Sequence, residues 1–387
     1  MFLARFEPSL GGYLMYNKTD LYFFEPEAMK DFSQDGVFVE NNMYPENAMS
    51  APLQFQLAIT DSCNISCFNC YNKEKEQCGR KTELSSSQIR ELIDYLVDWG
   101  VLFFQWSGGE PFLAKHLKEL AEYAQTKHLT QSLLTNGLAF TDKDKAMWAA
   151  KTFQRVQISF NAVNKFKEWT GVAALPRLIE AMKNISVCCS KTGSFFNLTT
   201  TINEISILEL EKIAEIVDII KPTHWRIGEE VPLGKAGVQN HHVSLLEESY
   251  KIFQVLKKRY KKRNWHHCFE ITEADSLMPV EWQSSPAGRT MLYMASDGRV
   301  YPFPYLKMPD FKLGVYPQDD LRQIWENNSS LKKLRSTNYE NTGCGSCKNI
   351  CVRWAREINY HFNGNLFENP IPFTNCPRFG KKGGGFK

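Results

Sequence analysis

Between residues 54 and 261 the chain alternates short apolar runs with amphipathic stretches, and this rhythm limits the available folds more than any other feature. Strands are expected at 54–60 (QFQLAIT), 101–106 (VLFFQW), 130–135, 155–160 (RVQISF), 196–202 (FNLTTTI) and 224–228 (HWRIG). The helix after the first strand has clear start signals. Ser85 can cap it, Gln88 completes a capping box, and Ile89, Leu92, Ile93, Leu96 and Val97 recur at helical spacing. Further helices are expected at 116–128, about 174–187, 207–220 (opened by Ser206 with Glu209) and about 244–261. Right-handed crossovers turn such an alternation into a parallel sheet with helices outside. Six units do not close an eight-fold barrel, so the α/β fold expected is a partial, TIM-like (β/α)6 barrel. Ligands in parallel α/β folds gather at the carboxyl ends of strands. There the chain places DSCNISCFNC after strand one, SGGEP after strand two and TNG after strand three.

Composition narrows the class of protein. With 387 residues, 43% hydrophobic and 23% charged, the chain suits a globular core plus a smaller module. No apolar run approaches the roughly 20 residues that span a bilayer, and the first residues lack the pattern of a signal peptide. The expectation is a cytoplasmic protein with no membrane partner. A net charge of +3 gives no reason to expect a nucleic-acid partner. The basic run at 257–263 falls at a helix end, where cations suit the helix dipole.

Eleven cysteines are many for a reducing compartment, where clustered cysteines are more often metal ligands than disulfides. Cys63, Cys67 and Cys70 form one group, and Cys344, Cys347, Cys351 and Cys376 a second. Cys78, Cys188, Cys189 and Cys268 read as small buried hydrophobes. The first group supplies three thiolates from one loop, which would leave one iron of a four-iron cluster open. The bare triplet could also arise by chance or mark a zinc site. The motif resembles the signature of the radical S-adenosylmethionine (SAM) superfamily over about residues 50–260. That resemblance implies a [4Fe–4S] cluster on Cys63, Cys67 and Cys70 whose open iron chelates SAM. One electron then cleaves SAM to methionine and a 5′-deoxyadenosyl radical, which abstracts hydrogen from substrate.

Neighbouring segments carry the same resemblance. Ser107-Gly108-Gly109-Glu110-Pro111 resembles the family's GGE motif, which implies SAM contacts from Gly108, Gly109, Glu110 and Pro111. Independently, glycines admit a ligand close to the backbone, and a carboxylate can accept hydrogen bonds from an ammonium. Asn136 lies in the TNG segment, and Ser159 and Asn161 stand where the family places ribose contacts, with Asn161 in place of the commoner Asp. Before the third cysteine, Asn69 replaces the usual aromatic, with Phe68 and Tyr71 nearby as cofactor-contacting residues.

The second cysteine group has the C-x2-C spacing that zinc sites and iron–sulfur sites share. The text around it, SDGRVYPFPYL…LGVYPQDDLRQIW…CGSCKNIC, resembles the SPASM or twitch extension of radical SAM enzymes. Gly298, Gly314, Leu321, Ile324 and Trp325 keep its cadence. Phe303 and Asp319 stand where that module has cysteines for an inner cluster. The resemblance therefore implies one auxiliary [4Fe–4S] cluster, on Cys344, Cys347, Cys351 and Cys376. The expected organisation is an N-terminal β-hairpin segment (1–50), a barrel (51–265), an auxiliary-cluster domain (266–379) and a flexible tail (380–387).

Substrate residues are less constrained. Arg226, Glu229 and Glu230 in and after the sixth strand are candidates to meet substrate, with an Arg–Glu core pair as the alternative. Cys188, Cys189 or Cys268 could serve as a thiol hydrogen donor. SPASM and twitch enzymes mostly act on peptides, so the resemblance implies a peptide or protein substrate with a leader segment, which the N-terminal hairpin could bind by strand pairing or merely cap the barrel. It also implies a reductant such as flavodoxin or ferredoxin. The alternatives are cofactor or small-molecule biosynthesis by the same chemistry, or a metal-binding scaffold or electron carrier.

Overall fold

The first fifty residues build a sheet of their own in the computed structural model, which describes residues 2–17, 20–29, 36–41, 44–72, 82–230, 235, 242–261, 263–267 and 286–336. Its strands are β1 (Phe2–Glu7), β2 (Gly12–Asn17), β3 (Asp20–Phe24) and, after the short helix α1 (Pro26–Met29), β4 (Gly36–Glu40). The order is β3-β2-β1-β4, with β1 parallel to β4 and the other pairs antiparallel. The hairpin read from the sequence is β2–β3, and β1 and β4 extend it. One buried ion pair fastens this sheet to the rest of the chain. Arg5 and Glu7 are both 0% exposed, with Nη2 and Oε2 3.2 Å apart. The Arg5 guanidinium also donates to the carbonyls of Pro52 and Gly100, and Glu7 accepts from the amide and hydroxyl of Ser50.

The expected strand–helix alternation follows. It runs β5 (Gln54–Thr60), α2 (Ser86–Trp99), β6 (Phe103–Gly108), α3 (Leu117–Thr126), β7 (Thr130–Thr135), α4 (Lys143–Thr152) and β8 (Arg155–Ser159). It continues with α5 (Phe166–Thr170), α6 (Leu175–Thr192), β9 (Phe195–Ile202), α7 (Ser206–Ile220), β10 (His224–Glu229), α8 (His242–Arg259) and β11 (Trp265–His267). Then come β12 (Met291–Met294), β13 (Arg299–Tyr301), β14 (Gly314–Val315), α9 (Leu321–Asn327) and α10 (Ser329–Ser336). The large sheet has the order β11-β10-β9-β8-β7-β6-β5-β12-β13-β14. It is parallel from β11 to β12, while β13 and β14 join antiparallel. Six βα units in sequential order form the partial TIM-like barrel expected from the sequence.

Alternation along the strands separates two environments. Phe55, Leu57, Phe104, Trp106, Leu133, Val156, Ile158, Leu198, Trp225 and Ile227 are fully buried in the core beneath the helices. The intervening positions are polar and hydrogen-bond from strand to strand. Gln54 donates to Gln105 (3.0 Å), Gln105 to Ser132 (3.1 Å), and Gln56 to Ser107 (2.9 Å). A barrel built this way has an apolar outer core and a polar concave face.

Helix ends match local chemistry, with two departures from expectation. In α2 the Ser85–Gln88 capping box is present, and Gly100 closes the helix at φ +81°. Helix α7 is not opened by the Ser206 side chain. Asn203 accepts from the amides of Ile205 and Ser206, while Ser206 Oγ donates to the carbonyl of Thr201. Glu209 points back to accept from the amides of Val163 and Lys165. Helix α4 left no apolar signal because its buried face is mainly Ala146, Ala149 and Ala150. Its cap is Asp142, which accepts from the amides of Asp144 and Lys145. Asp142→Ala is expected to lower unfolding free energy by about 1 kcal/mol, measurable by urea titration.

Beyond the barrel the Gly298…Trp325 cadence is a packing device. Gly298 adopts φ +83°, and a Cβ there would sit 2.2 Å from the Tyr316 carbonyl. Asp320 caps α9, turning Leu321, Ile324 and Trp325 into the core. Trp325 meets Trp99 edge-on and donates to the Met49 carbonyl.

Candidate functional site

The cysteine loop leaves β5 and is held on three sides. At its start Glu83 accepts from Thr60 Oγ1 (2.7 Å) and from the Asp61 amide (2.9 Å). The glycine segment after β6 closes against the same stretch: Gly109 donates to the Thr60 carbonyl and Glu110 to that of Ser62, each at 2.8 Å. Further along, the amides of Ser66 and Phe68 donate to the carbonyls of Thr170 and Trp169 at the end of α5. Phe68 packs edge-on against Trp169. Cys63, Cys67 and Cys70 are half-buried on this loop, and none is in a disulfide.

The glycines owe their identity to this contact. Gly108 has φ +132°, and a Cβ would meet the Thr60 carbonyl at 2.3 Å. At Gly109 a Cβ would lie 2.2 Å from the Ser62 carbonyl. Only a bare backbone fits between the second strand and the cysteine loop.

Glu110 is 2% exposed, and its carboxylate is largely committed within the protein. Oε1 accepts from Thr135 Oγ1 (2.7 Å) and from the Phe112 amide (3.2 Å), and Oε2 from the Asn136 amide (2.8 Å). Burial raises its pKa while these three bonds oppose the rise. Three of roughly four acceptor positions are used, which leaves one on Oε2 for a ligand. Pro111 opens the short turn of helix that Glu110 caps. Asn136 donates through Nδ2 to Asn64 Oδ1 (2.7 Å), joining the TNG segment to the cysteine loop.

The structure therefore gathers the cysteine loop, the GGE segment and the TNG segment at the carboxyl ends of β5, β6 and β7. Ser159 is exposed at the same end of β8. Asn161 Oδ1 accepts from the Thr201 amide (2.8 Å), so this side chain bridges to β9. Tyr71 stacks edge-on against Tyr305, and burial holds its phenol protonated far above the usual range.

The late candidates separate. Arg226 is exposed, whereas Glu230 is buried and forms no core pair with it. Glu230 Oε1 instead accepts from Asn69 Nδ2 and Asn203 Nδ2, both at 2.8 Å. The backbone of Glu229 lies within β10, paired with Ile202, rather than after the strand. Cys188 and Cys189 are buried on α6 in the outer core, and burial raises the Cys189 thiol to about 11. They remain core residues and do not face the mouth. Cys78, Cys268, Cys344, Cys347, Cys351 and Cys376 lie outside the described residues. Phe303 is buried against Tyr305, and Asp319 accepts from the Val315 amide.

Sequence reasoning missed the Asn69–Glu230–Asn203 link, which ties the cysteine loop to β10. Asn69 in place of an aromatic residue was its one visible trace. Glu230→Leu would leave two amide groups without their acceptor, at about 1–3 kcal/mol. The expected result is faster amide hydrogen exchange in residues 62–70.

Among the described residues no three His, Cys, Asp or Glu side chains converge on a single metal ion. A four-iron cubane asks for a different arrangement, because each thiolate binds its own iron. Three half-buried thiols on a pinned loop, beside a glycine cradle that a Cβ would fill, fit such a cluster and a small ligand next to it. Among the described residues no helix is long and apolar enough to cross a membrane.

Comparison with known proteins agrees with this geometry. The family model described as the radical SAM superfamily matches residues 57–217. The AdoMet-dependent heme synthase of Methanosarcina barkeri is 24% identical over 340 residues, covering 82% of this chain and 95% of that protein. The mycofactocin maturase MftC of Mycolicibacterium smegmatis is 22% identical over 343 residues, covering 84% and 83%. Among solved structures, Streptococcus suis SuiB bound to precursor peptide SuiA superposes with a TM-score of 0.71 at 15% identity, over 96% of this chain and 97% of that one. The AdoMet-bound anSMEcpe structure gives 0.63 at 15% identity, over 82% and 93%. The matched span opens inside β5 and takes in the cysteine loop, the glycine cradle and the TNG segment, so residues 57–217 form a radical SAM domain.

Proposed function

We propose that this enzyme modifies a ribosomally made peptide or protein by hydrogen abstraction, forming a cross-link or inverting a stereocentre. Cys63, Cys67 and Cys70 hold the cluster, and Gly108, Gly109 and Glu110 frame the SAM beside it. When bound and reduced, the cluster supplies the electron that splits SAM into methionine and a 5′-deoxyadenosyl radical. The chain's own part is to pin the cysteine loop to β6, α5 and β10, and to keep a polar barrel interior open at the strand ends. The observation that carries the peptide reading is the fold shared over nearly the whole chain with SuiB, a protein solved with its precursor peptide. The maturase relative supports it. The N-terminal sheet offers two edge strands, β3 and β4, either of which could accept a leader peptide by strand addition. A flavodoxin or ferredoxin would supply electrons. The heme synthase relative, matched over 95% of its length, favours the second reading, a small-molecule or cofactor substrate.

We further place one auxiliary [4Fe–4S] cluster on Cys344, Cys347, Cys351 and Cys376. Anaerobic reconstitution should then yield about eight irons per chain, and about four in the Cys344→Ala variant. Cys67→Ala should abolish 5′-deoxyadenosine formation with dithionite and SAM. Unchanged iron and lost zinc in Cys344→Ala would remove the auxiliary cluster. Incubating the active enzyme with precursor peptides and, separately, with iron porphyrins decides the substrate class by which one is consumed with 5′-deoxyadenosine release.

A further inference from the structure

On the concave face of the barrel, basic and amide side chains gather on four neighbouring strands, β8 to β11. The pairing registers put Gln157, Asn197 and His224 on one tier, and Ser159, Thr199, Arg226 and His266 on the tier above, nearer the mouth. Arg155 lies one tier below, paired with Phe195. Tiers two residues apart are separated by about 6.6 Å. The alternate residues Val156, Leu198 and Trp225 are all 0% exposed, as expected for the outer core, so the basic set shares the inner face.

Three of these side chains carry buried polar atoms with no hydrogen-bond partner among the described residues: Arg155 Nε, Asn197 Oδ1 and His224 Nε2. Asn197 is only 9% exposed. Unsatisfied buried groups are rare in folded proteins and call for a missing partner. Three on adjacent strands, facing one interior, call for a shared one. The Arg155 guanidinium lies 5.5 Å from the Phe103 ring; burial lowers its pKa, and Tyr16 and Asp20 oppose that without hydrogen-bonding to Nε. Burial first, and then His266, Arg226 and Arg155, push the His224 imidazole down to about 4, so it is neutral at physiological pH and can donate from Nε2 in the appropriate tautomer. The Asn197 amide can turn either its oxygen or its nitrogen to a ligand.

We propose that this patch is an anion subsite in which Arg155, Asn197, His224 and Arg226 hold a carboxylate of the substrate, one tier below Ser159. A carboxylate matches the donors: a guanidinium from below, a second from above, and an amide and an imidazole at its own level. Seated there, it anchors the substrate inside the barrel and leaves the attached chain directed up to the mouth, where the cysteine loop stands. The inference rests on the reading that the barrel interior receives the substrate. It adds that the substrate is acidic at the inserted end, through either a side-chain or a terminal carboxylate.

The test uses the full-length protein with its iron–sulfur content reconstituted and SAM bound, titrated calorimetrically with three capped amino acids. N-acetylglutamate α-methylamide carries only a side-chain carboxylate, N-acetylglutamine only a terminal one, and N-acetylglutamine α-methylamide neither. At least one acid is expected to bind about tenfold or more tightly than the neutral compound, and the preferred acid identifies the source of the carboxylate. Arg226→Gln should remove most of that preference. Arg155→Gln should do the same, with Arg155→Lys restoring part of it. Equal binding of acid and neutral ligands, no binding of any, or a preference untouched by Arg226→Gln would overturn the subsite. 5′-Deoxyadenosine formation measured on the same samples separates the two levels. Cleavage without acid preference rejects the subsite alone, whereas absent cleavage at full iron content rejects the radical reading itself.

Discussion

Gly109→Ala is expected to reduce 5′-deoxyadenosine formation by about 100-fold or more while the protein stays folded. The added Cβ would lie 2.2 Å from the Ser62 carbonyl oxygen and 2.7 Å from that of Asp61. Both are backbone atoms, so no side chain can swing aside. Nor can the carbonyls retreat freely, because Ser62 accepts from the Glu110 amide and Thr60 from that of Gly109. The cysteine loop must therefore move, and Cys63 is the residue next to the collision. A displacement of about 1 Å at a reacting centre is enough for a loss of about 100-fold. Measured SAM cleavage within tenfold of the parent protein would show that loop and cradle are not rigidly coupled. Iron content should fall less than cleavage, because the three thiols remain present.

The second large effect is on stability. Glu7→Ala should lower unfolding free energy by about 3–5 kcal/mol, because it leaves the Arg5 guanidinium fully buried without its counter-charge. The Ser50 amide and hydroxyl lose their acceptor at the same time. Burial already depresses the Arg5 pKa, and Glu7 is the main influence opposing that depression. Glu7→Gln keeps an acceptor for Ser50 but removes the charge, so its loss should be smaller. Denaturant unfolding of the two variants separates charge pairing from hydrogen bonding. Equal losses would assign the whole effect to the charge, and no loss in either would show that the N-terminal sheet is not fastened here. The pair is local in sequence, yet its importance is set by what surrounds it: the carbonyls of Pro52 and Gly100 and the sulfur of Met49.

The six barrel strands, their order, and the positions of the cysteine, GGE and TNG segments at one end of the sheet were all legible in the residues. Each rests on information within a few positions: alternation along a strand, helical spacing, or a capping residue three places from its partner. The Ser85–Gln88 box belongs to this class. Helix α4 did not, because alanines bury a face without marking it as apolar.

What only the tertiary structure decided is who meets whom across the strand ends. Glu110 reads as a ligand for an ammonium, but in the fold most of its carboxylate holds Thr135, Asn136 and Phe112. Glu230 reads as a residue for substrate, yet it binds Asn69, 161 positions earlier in the chain. Asn203, not Ser206, accepts from the amides at the start of α7 and reaches Glu230 as well. Local patterns determine which element a residue joins, since they reflect the period of one helix or strand. Hydrogen-bond partners are chosen among segments brought together by folding, and a buried carboxylate takes whichever donors the packed strand ends present.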